Sequence, residues 1–363
     1  MNHQDEYRDR ELVTGLARRI ARLVDGRPQP IRLMEVCGTH TMAIHQYGLR
    51  NLLPPQVRLV SGPGCPVCVT PNSYLDRAVA LGRLSDVTLA TFGDMLRVPG
   101  SSTSLMEERA RGTDIRIVYS PLDAVRLAQR LPERRVVFLG VGFETTAPTV
   151  AASILEAERL NLTNYSVLAA HKTMPQAMEL LSADPDLGIN GYLCPAHVSA
   201  IIGANAYEPL VQQFHIPCVV TGFEPADVLA GVEMLLQQIV TGESRVEIEY
   251  RRAVTKEGNE RARQVMAQVF APSDAVWRGL GTIAGSGLRI REAYGRFDAE
   301  PTLPVEVEPT REHAGCRCGD VLRGRLDPSD CPLFGVSCTP ETPVGACMVS
   351  SEGSCAAAYK YGR

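Results

Sequence analysis

Residues 137–150, VFLGVGFETTAPTV, decide the fold. The segment begins as a short apolar run of β type, turns through Gly-Phe-Glu and continues as a helical pattern. Residues 219–229, VVTGFEPADVL, repeat that order. The echo fits two related α/β domains, and equally the common grammar of strand-to-helix turns. Outward from it, further β-type runs occur at 31–36, 57–60, 87–92, 114–119, 135–139, 165–169 and 216–220. Helical patterns such as 121–131 and 226–240 separate them. Strands alternating with helices predict parallel βαβ units. The runs are apolar on both faces, as expected where helices cover a sheet from both sides.

The flanks differ. Leu12, Leu16, Ile20, Leu23 and Val24 share one helical stripe, closed by Gly26 and Pro28. Within 241–270 the charged stretch RVEIEYRRAVTKEGNERARQVMAQVF reads as an amphipathic connector helix with a solvated face. After PTLPVEVEP (301–309) the chain is loop-like and rich in Gly, Pro and Cys. The expected organisation is an N-terminal helix within 1–30 packing on the rest, α/β domains over 31–125 and 126–241, and a helical, Cys-rich domain over 242–363.

Composition sets limits. Of 363 residues, 45% are apolar and 21% charged, which excludes a mostly disordered chain. A net charge of −4 argues against a dedicated nucleic-acid or anionic-membrane binder. No apolar run approaches the ~18–20 residues of a membrane helix. The start, MNHQDEYRDRELV, has no apolar core of a secretory signal, so a cytoplasmic location is expected.

The eleven cysteines stand out, because six fall in the last 48 residues. In a reducing compartment, clustered cysteine points to metal binding or redox chemistry rather than to a disulfide framework. Cys316, Cys318, Cys331, Cys338, Cys347 and Cys355 are separated by 1, 12, 6, 8 and 7 residues. A segment with so little regular structure cannot bury much apolar area and needs a staple. Zinc ribbons present paired C-x2–4-C knuckles, which are missing here. An iron–sulfur cluster takes four thiolates at varied spacings and leaves two cysteines for a redox pair. Zinc and plain structural thiols are the other readings.

Two further motifs follow strands. In SGPGCPVC (61–68), Cys65 and Cys68 form a C-x-x-C pair, the context of a dithiol/disulfide couple. Gly62 and Gly64 permit a tight turn, and exposed amides at a helix start would favour thiolate. Two small core residues at a turn are the bland alternative. In Met34-Glu-Val-Cys37-Gly-Thr-His40, Cys37 and His40 are candidate metal ligands at the carboxyl end of a strand. A buried cysteine with an unrelated histidine reads the same. Because Cys37 and Cys65 follow successive strands, one shared sheet edge is expected.

Weaker signals remain. Gly142-Phe-Glu144-Thr145-Thr146 follows a strand and would set a carboxylate and two hydroxyls in one cleft, unless the threonines only cap a helix. Cys194-Pro-Ala-His197 lines a cleft or forms a core turn, and Cys218 in IPCVV reads as core. Gly140-Val-Gly142 is not a dinucleotide fingerprint, and neither a Walker A sequence nor G-x-S-x-G occurs.

Together, CGTH (37–40), GPGCPVC (62–68), GFETT (142–146), CPAHVS (194–199) and the tail from CRCG (316–319) through CPLFG, CTP and CMVSSEGSC (347–355) resemble one family, the HypD maturation factors of [NiFe]-hydrogenase. The resemblance implies two Rossmann-like parallel-sheet domains and a C-terminal domain with one [4Fe–4S] cluster, similar in its surroundings to ferredoxin:thioredoxin reductase. It implies a scaffold on which the Fe(CN)2CO group is assembled. The implied partners are a small chaperone of HypC type and a cyanide donor of HypE type, which uses carbamoyl phosphate. Carried over residue by residue, Cys316, Cys331, Cys338 and Cys355 are the cluster ligands. Cys318 and Cys347 form a redox pair, and Cys65 and Cys68 a second dithiol nearer the cleft. Cys37 would bind the iron being built, with His40 beside it. Apart from that carry-over, hydrogen bonding by Glu144 and Thr145 is expected to orient a diatomic ligand or an iron-bound water. A gap between the two thiol pairs would demand a domain motion or an external reductant. The competing reading is a free-standing Fe–S thiol–disulfide oxidoreductase, which needs no lone Cys37. A zinc-stabilised binding module is a third.

Overall fold

The computed structural model describes residues 6–362. Eleven strands are described: β1 Ile31–Glu35, β2 Val57–Ser61, β3 Val87–Thr91, β4 Ile115–Ile117, β5 Arg135–Gly140, β6 Tyr165–Ala169, β7 Gly191–Pro195, β8 Cys218–Thr221, β9 Val246–Ile248, β10 Phe270–Trp277 and β11 Gly281–Ile290. The first nine build two parallel sheets, in the orders β2-β1-β7-β8-β9 and β4-β3-β5-β6. The α/β expectation is met. Every residue of β3 and of β7 is buried, as two-sided cover by helices requires.

The sheets do not follow the expected division at 125/126. β1 and β2 pair with each other and β1 with β7, whereas β3 and β4 pair with β5 and β6. The chain lays down two strands, leaves to build the whole second sheet, and returns at β7 to the free edge of β1. The sequence does not distinguish β7, because Gly191 opens it and Pro195 closes it and the apolar run between them is short. The lower limit of the third domain shifts too, since β9 completes the first sheet.

Residues 245–270 also differ from expectation. Only Glu260–Val269 is helical, and the Asn259 side chain caps it by accepting the Ala262 N–H. Gly258 in the left-handed region, set against Gly203, ends the preceding loop. Beyond the helix, β10 and β11 form an antiparallel hairpin with a bulge at Ser273/Ala275. That hairpin positions the thiols. At its tip the Arg278 N–H and Nε donate to the Val69 and Thr70 carbonyls, at 2.8 and 2.9 Å. Gly279, at φ +77°, packs on Gly319, where a Cβ would stand 2.3 Å from the Gly319 Cα. One turn therefore clamps the short helix Pro66–Val69 beside the short helix Cys318–Leu322.

The N-terminal helix Arg10–Leu23 buries Leu16 and Ile20 with Val228, Val232 and Leu235 of the helix Pro225–Thr241, which covers one face of the first sheet. Asp9 caps it by accepting the Leu12 N–H.

Candidate functional site

Cys37 follows β1 and stands at the N-cap of the helix Gly38–Gln46. Cys65 follows β2 and stands at the N-cap of Pro66–Val69. β1 and β2 are paired neighbours, so both cysteines share one carboxyl edge, as expected. Glycine makes the approach possible. The Gly38 N–H donates to the Gly64 carbonyl at 2.9 Å, and a Cβ on Gly64 would meet the Cys37 N at 2.2 Å.

Burial pushes the Cys37 thiol up to about 12, helped by the charge of Glu352, while the backbone N–H groups of His40 and Thr39 pull it back. Buried Glu35 accepts from the Cys37 N–H at 3.2 Å and from the Thr41 hydroxyl. Burial lifts its carboxyl to about 7. Glu352 accepts from the Thr39 hydroxyl at 2.7 Å. The sequence alone assigns neither glutamate a role. Glu352 lies far from Cys37 along the chain, and only the fold joins them.

His40 is buried and reaches across the sheet edge to the end of β8. Its Nε2 lies 2.9 Å from the Gly222 carbonyl and 3.2 Å from that of Thr221. Carbonyls only accept, so Nε2 carries the proton and Nδ1 keeps its lone pair, without a hydrogen-bond partner. Burial lowers the ring's pKa to about 4, so the imidazole is neutral at pH 7.

The sequence leads one to expect a C-x-x-C pair that favours thiolate. The structure differs at Cys68, which is fully buried and whose thiol burial drives well above its ordinary value. The Cys68 N–H donates to the Cys65 sulfur at 3.3 Å. The Cys68 sulfur lies 3.9 Å from the carbonyl oxygen of Ala346, the residue before Cys347, and the buried thiols of Cys68, Cys347, Cys318 and Cys355 act on one another's ionisation. Cys318 in turn raises the Cys316 thiol. The C-x-x-C helix and the segment that carries Cys347 are thus neighbours.

All six tail cysteines line one apolar hollow, together with Val321, Leu333, Phe334 and Met348. The Cys338 sulfur accepts the Val344 N–H at 3.3 Å. Arg317 is the sole charged side chain in that lining. Thiolates without carboxylates, with N–H groups aimed at sulfur, form a donor set suited to an iron–sulfur cluster. Among the described residues, no three His, Cys, Asp or Glu side chains converge on a point for a single ion. A cluster distributes its thiolates over several irons and does not require that convergence.

The GFETT turn is split rather than gathered. Glu144 is 2% exposed; its Oε1 accepts the Met174 N–H at 2.9 Å and its Oε2 is buried without a partner. Burial raises its carboxyl to about 7. Thr145 is exposed, so the two do not share a cleft. Thr146 occupies the N-cap of the helix Ala147–Arg159 without a hydroxyl cap bond, so the capping alternative is not realised either. Cys194 and Cys218 are buried neighbours on β7 and β8, and His197 is exposed with its ring 4.1 Å from that of Phe223.

Comparison with known proteins agrees with these motifs. The family model described as "HypD: Hydrogenase formation hypA family" matches residues 11–362. The hydrogenase maturation factor HypD of Azotobacter vinelandii is 48% identical over 370 residues, covering 100% of this chain and 97% of that protein. The HypD of Escherichia coli K12 is 46% identical over 366 residues, covering 99% and 98%. At such identity and coverage, this chain belongs to the HypD family.

Proposed function

We propose that the chain acts in hydrogenase formation as the scaffold on which the Fe(CN)2CO group of [NiFe]-hydrogenase is assembled. Membership of a family whose relatives are named hydrogenase maturation factors supports the broader role. The observation that carries the finer reading is the placing of Cys37. It stands apart from the other thiols, at the same sheet edge, at the N-cap of the helix Gly38–Gln46. A disulfide reductase has no use for such a lone thiol.

In this reading Cys37 gives one thiolate to the cargo iron and a HypC-type chaperone gives another. Cyanide arrives from a HypE-type donor. Iron binding displaces the thiol proton. Glu35, poised near pH 7 and bonded to the Cys37 N–H, is placed to take up that proton. Neutral His40 keeps an unshared lone pair at Nδ1, and its Nε2–H is fixed by Gly222.

Cys316, Cys331, Cys338 and Cys355 would hold the [4Fe–4S] cluster, which supplies single electrons when bound. Cys318 and Cys347 then remain as the inner pair. Thiol–disulfide exchange requires sulfur contact, and the placing of Cys68 beside the Ala346–Cys347 segment supports transfer of reducing equivalents to the Cys65/Cys68 pair without a domain motion. Glu144 acts by holding the Met174 N–H rather than by meeting a ligand at Cys37.

The test is Cys37→Ala, purified without oxygen. Retained disulfide reduction with loss of the added iron supports the scaffold. If the variant keeps both, the scaffold reading is wrong and the oxidoreductase reading stands.

A further inference from the structure

A second opening reaches the thiols from outside the Cys37 edge. It is a cavity of about 340 Å³, and Cys316 and Cys318 lie in its wall. Two buried polar side chains also line it, and each leaves an atom unused. Arg278 is 6% exposed; its Nε is bonded to the Thr70 carbonyl, but its Nη2 is buried without a partner. Asn72 is 4% exposed; its Nδ2 donates to the Arg311 carbonyl at 2.6 Å, but its Oδ1 is buried without a partner. Arg311 and His313 stand exposed at the rim, with Glu312 between them in the chain. Ser101 pins that rim, its hydroxyl accepting the Arg311 N–H at 2.7 Å.

A buried polar group without a partner costs free energy unless something fills the place. Here a guanidinium donor and an amide acceptor lie without partners in side chains that wall one hollow of ligand size. The donor suits a carboxylate and the acceptor suits an amide or ammonium N–H. The cysteines of the wall add the chemistry.

We propose that this cavity binds a small anionic peptide thiol that reduces the Cys318–Cys347 pair. The inference rests on the thiol-relay reading above. The ligand's thiolate attacks the Cys318 sulfur, forming a mixed disulfide and releasing the Cys347 thiolate. A second ligand thiolate attacks the ligand sulfur of that mixed disulfide and releases the Cys318 thiolate. Two ligand thiols become one ligand disulfide, two electrons enter the pair, and two protons from solvent leave both cysteines as thiols. Cys347 is then reduced beside Cys68.

The probes are glutathione, a tripeptide thiol that is a net anion at neutral pH, and uncharged 2-mercaptoethanol. The whole chain is oxidised anaerobically, and reduction of Cys318–Cys347 is followed by differential alkylation and peptide mass at equal thiolate concentrations. Arg278 and Arg311 outnumber Glu312, the one carboxylate in the lining, and charge steering by them predicts that glutathione acts about tenfold faster than 2-mercaptoethanol at low salt. The ratio should fall towards one in Arg311→Glu and, with no substitution at all, in high salt. A ratio near one in the unaltered chain, or a ratio that survives both changes, overturns the proposal while the relay stands. If no Cys318–Cys347 disulfide forms on oxidation, the relay falls and this proposal with it.

Discussion

The Cys68 thiol lies beside Cys347, its sulfur 3.9 Å from the carbonyl oxygen of the preceding Ala346. The two belong to a C-x-x-C helix after the second strand and to the cysteine-rich tail, and the Arg278–Gly279 turn of the β10–β11 hairpin holds them together. Both are buried, so the pair is protected from solvent oxidants yet open to exchange with each other. In a Cys65→Ser chain, mild anaerobic oxidation should yield a Cys68–Cys347 disulfide, detected by peptide mass. Its absence would mean that the sulfurs do not reach bonding distance, and the relay would be broken at that step.

Gly64 should tolerate no side chain. Its Cβ would meet the Cys37 N at 2.2 Å and Cα at 2.4 Å, backbone atoms that cannot swing aside. Gly64→Ala should cost about 1–3 kcal/mol by overpacking and should disturb Cys37 and Cys65 together. Denaturant unfolding and the alkylation rates of the two thiols measure this. Unchanged stability and reactivity would show that the sheet edge is looser than described.

Glu352 raises the Cys37 thiol by its charge and holds Thr39 by a hydrogen bond. Glu352→Gln removes the first and keeps a carbonyl for the second. At pH 9 the Cys37 thiolate fraction should rise, and its alkylation should quicken by about three- to tenfold, since one pKa unit is tenfold in thiolate. An unchanged rate would mean that burial alone sets this thiol.

Glu144 gives a pH-dependent signature. Its folded carboxyl is raised from 4.5 to about 7 by burial. The folded state therefore binds the proton more tightly than the unfolded chain. The resulting stability is full below the unfolded value of 4.5, declines as pH rises to about 7, and is absent above. Glutamine mimics the protonated form. Glu144→Gln should thus gain about 2–3 kcal/mol relative to the native chain between pH 5 and pH 8, each pKa unit being worth about 1.4 kcal/mol. Urea titrations at the two pH values test it, and a gap independent of pH would contradict it.

The sequence made the local chemistry readable and concealed the long-range joins. Apolar runs at 31–36, 57–60 and 135–139 became β1, β2 and β5, because two-sided burial leaves its mark in composition. The Cys37 and Cys65 edge followed from successive strands. The return of β7 to the edge of β1 was not legible, because strand order depends on burial across the whole sheet rather than on any local pattern. Glu35 and Glu352 stay hidden for related reasons. Glu35 looks like an ordinary strand residue until its partners Thr41 and Cys37 close over it. Glu352 meets Thr39 only in the folded chain. The hairpin is obscured by Gly281, Gly285 and Gly287, which weaken a β pattern in sequence but allow the bulge and the close approach to Ala275.

The most direct measurement is infrared spectroscopy of the chain isolated anaerobically from cells producing [NiFe]-hydrogenase, compared with its Cys37→Ala variant, with iron and acid-labile sulfide counted on both. The expected result is cyanide and carbonyl stretching bands on the native chain and none on the variant, with about four iron and four sulfide retained in the tail of each. Equal bands on both proteins would contradict Cys37 as the anchor of the assembled iron.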